Sequence, residues 1–260
     1  MLKKTEIKRV VVKVGTSTLT HGTGLLNLRR IEELAKILSD IKNSGVDVVL
    51  VTSGAIGVGM SKLGMTARPK EVRYKQAAAA VGQCELMHIY DKFFLDYGQT
   101  IAQILITRDD VSTPDRRQSV IDTLETLLET GAIPIINEND TTGIDEILFG
   151  DNDSLSAEVA VLCKANLLVL FSDIDGLYDA DPHKNKNARI IPIVHEITDS
   201  LRECAGGAGT SLGTGGMSTK IQAAEVALKH KIPMVIANGE HIDELYNMIS
   251  GNIHGTLFIE

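Results

Sequence analysis

The chain has little that points to a nucleic-acid partner. Of its 260 residues, 34 are acidic and 26 are lysine or arginine, which leaves a formal net charge of −8 and a pI near 5.4. Binding to nucleic acid depends on a basic face that neutralises the phosphate backbone. We therefore predict no nucleic-acid partner, and any phosphate site must be built locally from a few residues.

Long apolar runs and paired cysteines are also missing. No apolar segment approaches the roughly 18 residues that a membrane-spanning helix needs, and the charged start is followed by an apolar stretch too short for a signal peptide. Cys84, Cys163 and Cys204 are far apart, and none forms a CxxC pair or lies at metal-ligand spacing with a histidine. We expect a soluble cytoplasmic protein with reduced thiols and no membrane partner.

What the sequence does contain is a regular alternation of short apolar runs with longer segments of helical period. The runs predict buried strands at Arg9 to Val14, Val46 to Thr52, Thr100 to Ile106, Ala132 to Ile136, Asn166 to Phe171 and Pro233 to Ala237, with a further strand-like segment at Gly255 to Ile259. A long helix-prone segment with an alanine cluster runs from Glu71 to Tyr97. This alternation predicts a mostly parallel sheet covered by helices on both faces, in one continuous domain that could be divided into two lobes.

The densest polar segment follows the fourth of these strands. From Asn137 to Asp153 it reads NENDTTGIDEILFGDND, with six carboxylates and three side-chain amides in seventeen residues. Polar groups at the carboxyl end of a buried strand are the usual place for a small-molecule site in an open α/β sheet. A solvated acidic loop and a cage for Mg²⁺ or Ca²⁺ are the alternatives.

Lysines accompany glycine-rich turns at two places. Lys13 lies inside an apolar strand and is followed by VGTST, whereas Lys220 follows a segment with six glycines in eleven residues. A buried lysine is costly unless an anion meets it, and a glycine-rich loop that leads into a helix binds phosphate through its N–H groups. A lysine that reaches solvent is the alternative for Lys13, and a flexible surface loop is the alternative for the segment before Lys220. Together the two lysines indicate phosphoryl transfer catalysed by charge.

Several familiar motifs do not fit. The dinucleotide pattern GxGxxG would need a glycine where Lys62 stands, and no GxxxxGK[ST] frame fits the loop before Lys220. An EF-hand over the aspartates that follow Ser172 fails, because Leu177 occupies the third ligand position and no glutamate closes the loop. A dinucleotide-dependent oxidoreductase is therefore disfavoured, and those aspartates could serve in turns and caps.

Taken together, the motifs resemble those of the amino acid kinase superfamily and, within it, the glutamate 5-kinase family. The resemblance covers nearly the whole chain from about Lys8, and it rests on VVKVGTSTLT, VTSGAIGVG, AAVGQ, IPIINEND, GDNDSLSA, SDIDGLYDADP and GTGGMSTK. IPIINEND with GDND is the most specific part. It separates this family from relatives that phosphorylate aspartate, N-acetylglutamate, carbamate or uridylate.

The resemblance implies an α/β fold, a three-layer α/β/α sandwich around a mainly parallel eight-stranded sheet. Glutamate would lie over the N-terminal half and ATP over the C-terminal half of a single domain spanning 1–260. The implied reaction is ATP-dependent phosphorylation of the γ-carboxylate of L-glutamate, the first step of proline biosynthesis. That carboxylate is already ionised at neutral pH, so no general base is needed. Mg²⁺ would be carried by ATP rather than by protein side chains.

Carried over position by position, the resemblance also assigns roles to individual residues. Lys13 and Lys220 would flank the transferred phosphoryl group, and Asp153 would orient both lysines. The glutamate-binding residues would be Ser53, Asp140 and Asn152, with Asp140 pairing the α-ammonium group. The nucleotide-binding residues would be Lys13, Ser172, Asp173, Thr214, Gly215, Gly216, Met217, Ser218, Thr219 and Lys220. No role follows for Glu138, Asp145, Glu146 or Asp151.

The same resemblance implies feedback inhibition by proline and a homo-oligomer, either a dimer or a tetramer. Many members of the family continue into a C-terminal PUA domain, which we do not expect in this chain. Two alternatives stay open: a sister kinase acting on another carboxylate substrate, and a non-catalytic amino acid or nucleotide sensor on the same fold. Retention of both Lys13 and Lys220 speaks against the sensor.

Overall fold

The computed structural model of the protein describes residues 7–143, 152–180, 182, 185–199, 201–202 and 216–260. An eight-stranded sheet runs through these parts of the chain. Its strands are β1 (Arg9–Val14), β2 (Asp47–Val51), β3 (Ile101–Ile106), β4 (Ile133–Glu138), β5 (Leu167–Ser172), β6 (Ile193–Val194), β7 (Met234–Asn238) and β8 (Thr256–Phe258). None of the helices in the described ranges combines the length and apolar character needed to cross a bilayer.

The sheet order is β3-β4-β2-β1-β5-β7-β8-β6. The six strands from β3 to β7 in this order are parallel, β8 pairs antiparallel with β7, and β6 pairs parallel with β8. The prediction of a mainly parallel eight-stranded sheet is confirmed. The strand β6 is absent from the sequence prediction, because a strand of two residues is too short to show a period.

Helices fill the connections between the strands. They are α1 (Thr16–Leu19), α2 (Leu28–Asn43), α3 (Ala55–Lys62), α4 (Val72–Asp96), α5 (Arg108–Ser112), α6 (Pro114–Glu129), α7 (Asn152–Leu162), α8 (Met217–Lys229) and α9 (Glu244–Ile249). Capping side chains mark two of the helix starts. The side chain of Asn27 accepts a hydrogen bond from the backbone N–H of Arg30 at 3.2 Å, and Thr107 forms a capping box with Asp110.

The two faces of the sheet have separate apolar cores. Successive side chains of a strand point to opposite faces, and in β1 the side chains of Val10 and Val12 join one core whereas Val11 joins the other. Side chains from α2, α4 and α9 complete the first core, and side chains from α6, α7 and α8 complete the second. Three layers result, and strands buried on both faces explain why their sequences are continuous apolar runs.

Two glycines allow α3 and α4 to cross in direct backbone contact. A methyl group built on Gly59 would overlap the backbone carbonyl of Ala78, and one built on Gly82 would overlap the carbonyl of Ala55. This crossing holds α4 against the end of β2, where the buried hydroxyls of Tyr90 and Thr52 lie 2.8 Å apart. A polar face of α4 is thereby positioned next to the carboxyl ends of the strands.

We predict that Gly59→Ala lowers the free energy of unfolding by about 1–3 kcal/mol, because the helices must separate to admit the methyl group. The matched control is Gly57→Ala in the same helix, where the added methyl would meet only a side-chain carbon of Thr16 at 3.8 Å. That control should be neutral or stabilising by up to about 1 kcal/mol, from helix propensity. Urea unfolding followed by circular dichroism measures both, and equal stabilities of the two variants would contradict the close crossing.

Candidate active site

The carboxyl ends of four neighbouring strands meet at one edge of the sheet. Lys13 of β1 is in register with Val51 of β2 and with Leu170 of β5, and β4 flanks β2 on the other side. The chain order reverses between β1 and β5, and the crevice outside such a reversal is where open α/β sheets bind ligands. The polar motifs that follow β1, β2, β4 and β5 are far apart in the sequence, but they therefore lie next to one another at this edge of the sheet.

At this edge a fully buried carboxylate is held between two buried ammonium groups. The Lys13 Nζ atom donates to Oδ1 of Asp153, and the Lys220 Nζ atom donates to Oδ2 at 3.0 Å. Asp153 has no exposed surface and each lysine is 6% exposed. Thr219 Oγ1 donates to Oδ2 of the same carboxylate at 3.2 Å. We call Lys13, Asp153 and Lys220 the charged trio.

Local structure explains why these side chains meet. Asp153 lies in the first turn of α7, where a carboxylate is stabilised by the helix N-terminus. Lys220 lies in the first turn of α8, and Thr219 Oγ1 also contacts the backbone carbonyl of Gly216 at the start of that helix, at 2.8 Å. Because α7 packs against α8 and against β1, the lysines approach Asp153 from two sides.

The charges of the trio favour ionisation of its carboxyl group. Burial alone would raise the pKa of Asp153, but the positive charges of Lys13 and Lys220 and the hydrogen bonds from both lysines hold that pKa well below its ordinary range. The carboxylate is thus ionised at any physiological pH. It directs two cationic side chains to one point at the sheet edge.

A second, uncharged group of side chains lies next to the trio. The Asn152 Nδ2 atom lies 2.5 Å from the backbone carbonyl oxygen of Thr52, 2.8 Å from Asn137 Oδ1 and 3.0 Å from Ser53 Oγ. Asn137 and Asn152 are buried, whereas Ser53 is partly exposed. Asn152 and Asp153 are adjacent, so the first turn of α7 contributes one side chain to the uncharged group and one to the charged trio.

Of the other residues singled out from the sequence, Asp140, Ser172, Asp173, Gly216, Met217 and Ser218 are described, and they lie at the same edge or beside it. Asp140 is half-buried on the turn that follows β4. At the end of β5, Ser172 Oγ donates to Asp173 Oδ1 at 3.1 Å. Gly216, Met217 and Ser218 begin α8. Thr214, Gly215, Asp145, Glu146 and Asp151 lie outside the described residues.

The sequence predicts no role for the buried amides of Asn137 and Gln83, although both lie at this site. Asn137 contacts Asn152, and on its other side it contacts Gln83 of α4. Asn137 is a buried polar residue directly after the apolar run of β4, and Gln83 is a polar residue three positions before the buried Leu86 on an alanine-rich helix. A polar residue on a buried face is the sequence signal for both.

The acidic segment does not form a metal cage in the part of the chain that the structure describes. No group of three or more histidine, cysteine, aspartate or glutamate side chains is close enough there to hold an ion. The Asp153 carboxylate, which is the buried acid of the site, is engaged by two lysines.

Comparisons with known proteins show the family of the chain. A family model described as the amino acid kinase family matches residues 8–238. The chain is 55% identical to a glutamate 5-kinase of Clostridium acetobutylicum over 253 residues, which cover 97% of this chain and 95% of that protein. It is 53% identical to a glutamate 5-kinase of Clostridium perfringens over 256 residues, with the same shares covered.

Solved structures show the same fold at low sequence identity. The UMP kinase from Bacillus anthracis superimposes with a TM-score of 0.68 at 17% identity, over 97% of this chain and 96% of that one. The three-layer fold expected from the sequence is therefore confirmed. The chain belongs to the amino acid kinase family and, within it, to the glutamate 5-kinase family.

Proposed function

We propose that this protein transfers the γ-phosphoryl group of ATP to the γ-carboxylate of L-glutamate and so makes L-glutamyl 5-phosphate, the first step of proline biosynthesis. The observation that carries the proposal is the charged trio beside the Ser53 and Asn152 side chains. Two converging ammonium groups suit a transferring phosphoryl group, and a neighbouring set of amide and hydroxyl groups suits an amino acid. The high identity to glutamate 5-kinases supports this substrate over that of a sister kinase.

The chemical problem of this reaction is repulsion between two anions. The γ-carboxylate of glutamate is ionised at neutral pH and attacks without loss of a proton, so the protein must bring it to the triphosphate and neutralise the charge that both carry. Lys13 and Lys220 would do this on opposite sides of the transferred group, as preorganised charges in a site that excludes water. Bound Mg²⁺ would supply further charge neutralisation on the phosphate oxygens of ATP.

Asp153 would act as a positioning residue in this scheme. Its carboxylate holds both ammonium groups in place before ATP binds, so little reorganisation is needed during the reaction. An ionised aspartate in contact with two lysines does not serve as a general acid. The site thus works by position and charge, as phosphoryl-transfer sites do in general.

The order of the strands supports a division of the sheet edge between the two substrates. Glutamate would lie over β2 and β4, where Ser53, Asn152 and Asp140 are found, with Asp140 pairing the α-ammonium group. The nucleotide would lie over β5 and the start of α8, where Ser172, Asp173 and the residues from Gly216 to Lys220 are found. Thr214 and Gly215 would complete this set. We propose one kinase domain whose N-terminal half binds glutamate and whose C-terminal half binds ATP.

Three further properties belong to the proposal. Proline resembles glutamate in its α-carboxylate and α-nitrogen and would act as a feedback inhibitor from the same pocket. A homo-oligomer, dimer or tetramer, is expected from the resemblance to the family. A cytoplasmic location is supported by the free thiols of Cys84 and Cys163.

The activity is tested by trapping the acyl phosphate. Protein incubated with ATP, Mg²⁺, L-glutamate and hydroxylamine should form γ-glutamyl hydroxamate, which is measured as its coloured iron complex. Aspartate, N-acetylglutamate and carbamate in place of glutamate serve as the comparison panel, and uridylate is scored by release of ADP, because its product is a phosphoanhydride that hydroxylamine does not trap. Product from one of these and none from glutamate would establish a sister kinase, and no product from any acceptor would favour the sensor.

The lysines provide the second test. Lys13→Ala and Lys220→Ala should each lower kcat by about a hundredfold or more, because each removes a charge that acts on the transition state. Lys229→Ala, at the exposed end of the same helix as Lys220, is the matched control and should keep normal turnover. If either site variant kept normal kcat and showed only a raised KM for ATP, that lysine would be a nucleotide ligand and no more.

The third test concerns the buried carboxylate. Asp153→Asn should lower the free energy of unfolding at pH 7 by about 3–5 kcal/mol, because it leaves two buried ammonium groups without their anion. The pKa of Asp153 is lowered in the folded protein, so its contribution is complete above the unfolded value of about 3.9 and is lost as the pH falls further. The variant should therefore lose less stability than the wild type below about pH 4.

The matched control for this variant is Asp199→Asn, which breaks an exposed ion pair with Arg202. It should change neither the stability at pH 7 nor its dependence on pH. Chemical unfolding at a series of pH values gives both quantities. An Asp153→Asn variant as stable as the wild type would show that the lysines do not depend on this carboxylate.

A further inference from the structure

A row of buried amides connects α4 to the glutamate side of the site. Gln83 Oε1 accepts from Asn137 Nδ2 at 2.8 Å, and Asn137 Oδ1 accepts from Asn152 Nδ2 at 2.8 Å. All three side chains are more than nine-tenths buried. Gln83 is the member farthest from the charged trio, and nothing in the proposed mechanism uses it.

Two backbone groups determine which way each amide faces. The backbone N–H of Glu138 donates to Asn137 at 2.9 Å, and a backbone N–H can only donate, so the atom it meets is Oδ1. The Nδ2 atom of Asn137 therefore points to Gln83, which must present its carbonyl oxygen. At the other end, the backbone carbonyl of Thr52 can only accept, so Asn152 turns its Nδ2 atom toward it.

This arrangement directs the amino group of Gln83 away from the row. Its Nε2 atom is buried and has no hydrogen-bond acceptor within the described residues. A buried donor without an acceptor costs free energy, and native proteins leave few such groups unless a ligand or water meets them. A rotation of the Gln83 amide by 180° would not supply an acceptor, because its N–H groups would then face those of Asn137.

The position of Gln83 indicates which ligand group it meets. Gln83 contacts Asn137 on β4, and β4 lies two strands from β1, which carries Lys13. Strands are spaced by about 4.8 Å, so this end of the row lies about two strand spacings from Lys13, and a glutamate whose γ-carboxylate met the lysines would direct its other end toward it. The anionic group at that end of glutamate is its α-carboxylate.

We propose that Gln83 is a substrate-binding residue that donates from Nε2 to the α-carboxylate of the amino acid. The inference rests on the proposed function, since it takes glutamate as the substrate. Asn137 holds the carbonyl end of Gln83, so the donor is oriented before glutamate arrives. The row thereby contributes to the selection of α-amino acids over simpler carboxylates, at a point remote from the phosphoryl group.

The substitution Gln83→Glu separates binding from a purely structural role. A glutamate side chain keeps an oxygen for Asn137 Nδ2 but replaces the donor by an anion, which repels a carboxylate. We expect KM for glutamate to rise on the order of tenfold or more, with KM for ATP unchanged. The ratio of the variant KM to the wild-type KM should fall as the pH is lowered from about 8 to about 6, because a protonated carboxyl group is a donor again. Gln118→Glu, on the exposed face of α6, is the matched control and should keep the wild-type KM values.

A second variant covers the case in which Gln83→Glu does not fold. Gln83→Met keeps the length of the side chain without polar groups, and it should weaken the thermal stabilisation of the protein by L-glutamate. Its effect on 4-aminobutanoate, which lacks the α-carboxylate, should be absent. Equal losses for the two ligands, or a KM for glutamate within twofold of wild type in Gln83→Glu, would overturn the assignment.

The wild-type control separates this inference from the function on which it rests. A wild-type protein that forms no hydroxamate from glutamate contradicts the proposed function and with it the ligand named here. A wild type that is active, together with Gln83 variants whose glutamate KM and glutamate-induced stabilisation are unchanged, contradicts the role of Gln83 alone.

Discussion

The structure depends on the ion pairs that the buried Asp153 carboxylate makes with Lys13 and Lys220. These pairs join residues 140 and 67 positions apart in the sequence. Three buried charges are costly to desolvate, and only mutual contact and further hydrogen bonds offset that cost. The contacts exist because β1, α7 and α8 are packed together by apolar side chains of one core. The hydrophobic layer thus stabilises an electrostatic arrangement that would not form in an exposed chain.

The N-terminus of α7 links the two halves of the site. Asn152 is directed to the end of β2 and to the amide row, and its neighbour Asp153 is directed to the lysines. Successive residues of a helix point about 100° apart, so one turn can serve the amide row and the charged trio together. A displacement of α7 would therefore disturb both groups of side chains.

The crossing of α3 and α4 has a similar supporting role. Gly59 and Gly82 allow the backbones to touch, and Gln83 follows Gly82 directly. The close approach lets Gln83 reach Asn137 on β4 and lets Tyr90, two turns later, reach Thr52 at the end of β2. An alanine-rich helix thus brings two polar side chains to the ends of β2 and β4.

Much of the fold follows from the sequence, because strands buried on both faces are continuous apolar runs and helices between them show a regular period. Each end of the strands β1, β2, β3, β5 and β7 lies within one residue of its predicted position, whereas β4 extends two residues further, into the polar Asn137 and Glu138. Motif order likewise identifies Lys13, Asp153 and Lys220 as a related set. The family resemblance predicts Thr219 as a nucleotide-binding residue, and in the structure its hydroxyl also donates to Asp153.

The sequence by itself determined the alternation of strands and helices, the family and the residues that bear charge. Only the tertiary structure decided which distant groups touch, how far each is buried and which way each amide faces. The reason is that hydrophobic pattern and turn chemistry act over a few residues, whereas contacts such as that of Gln83 with Asn137 depend on the packing of helices against the sheet.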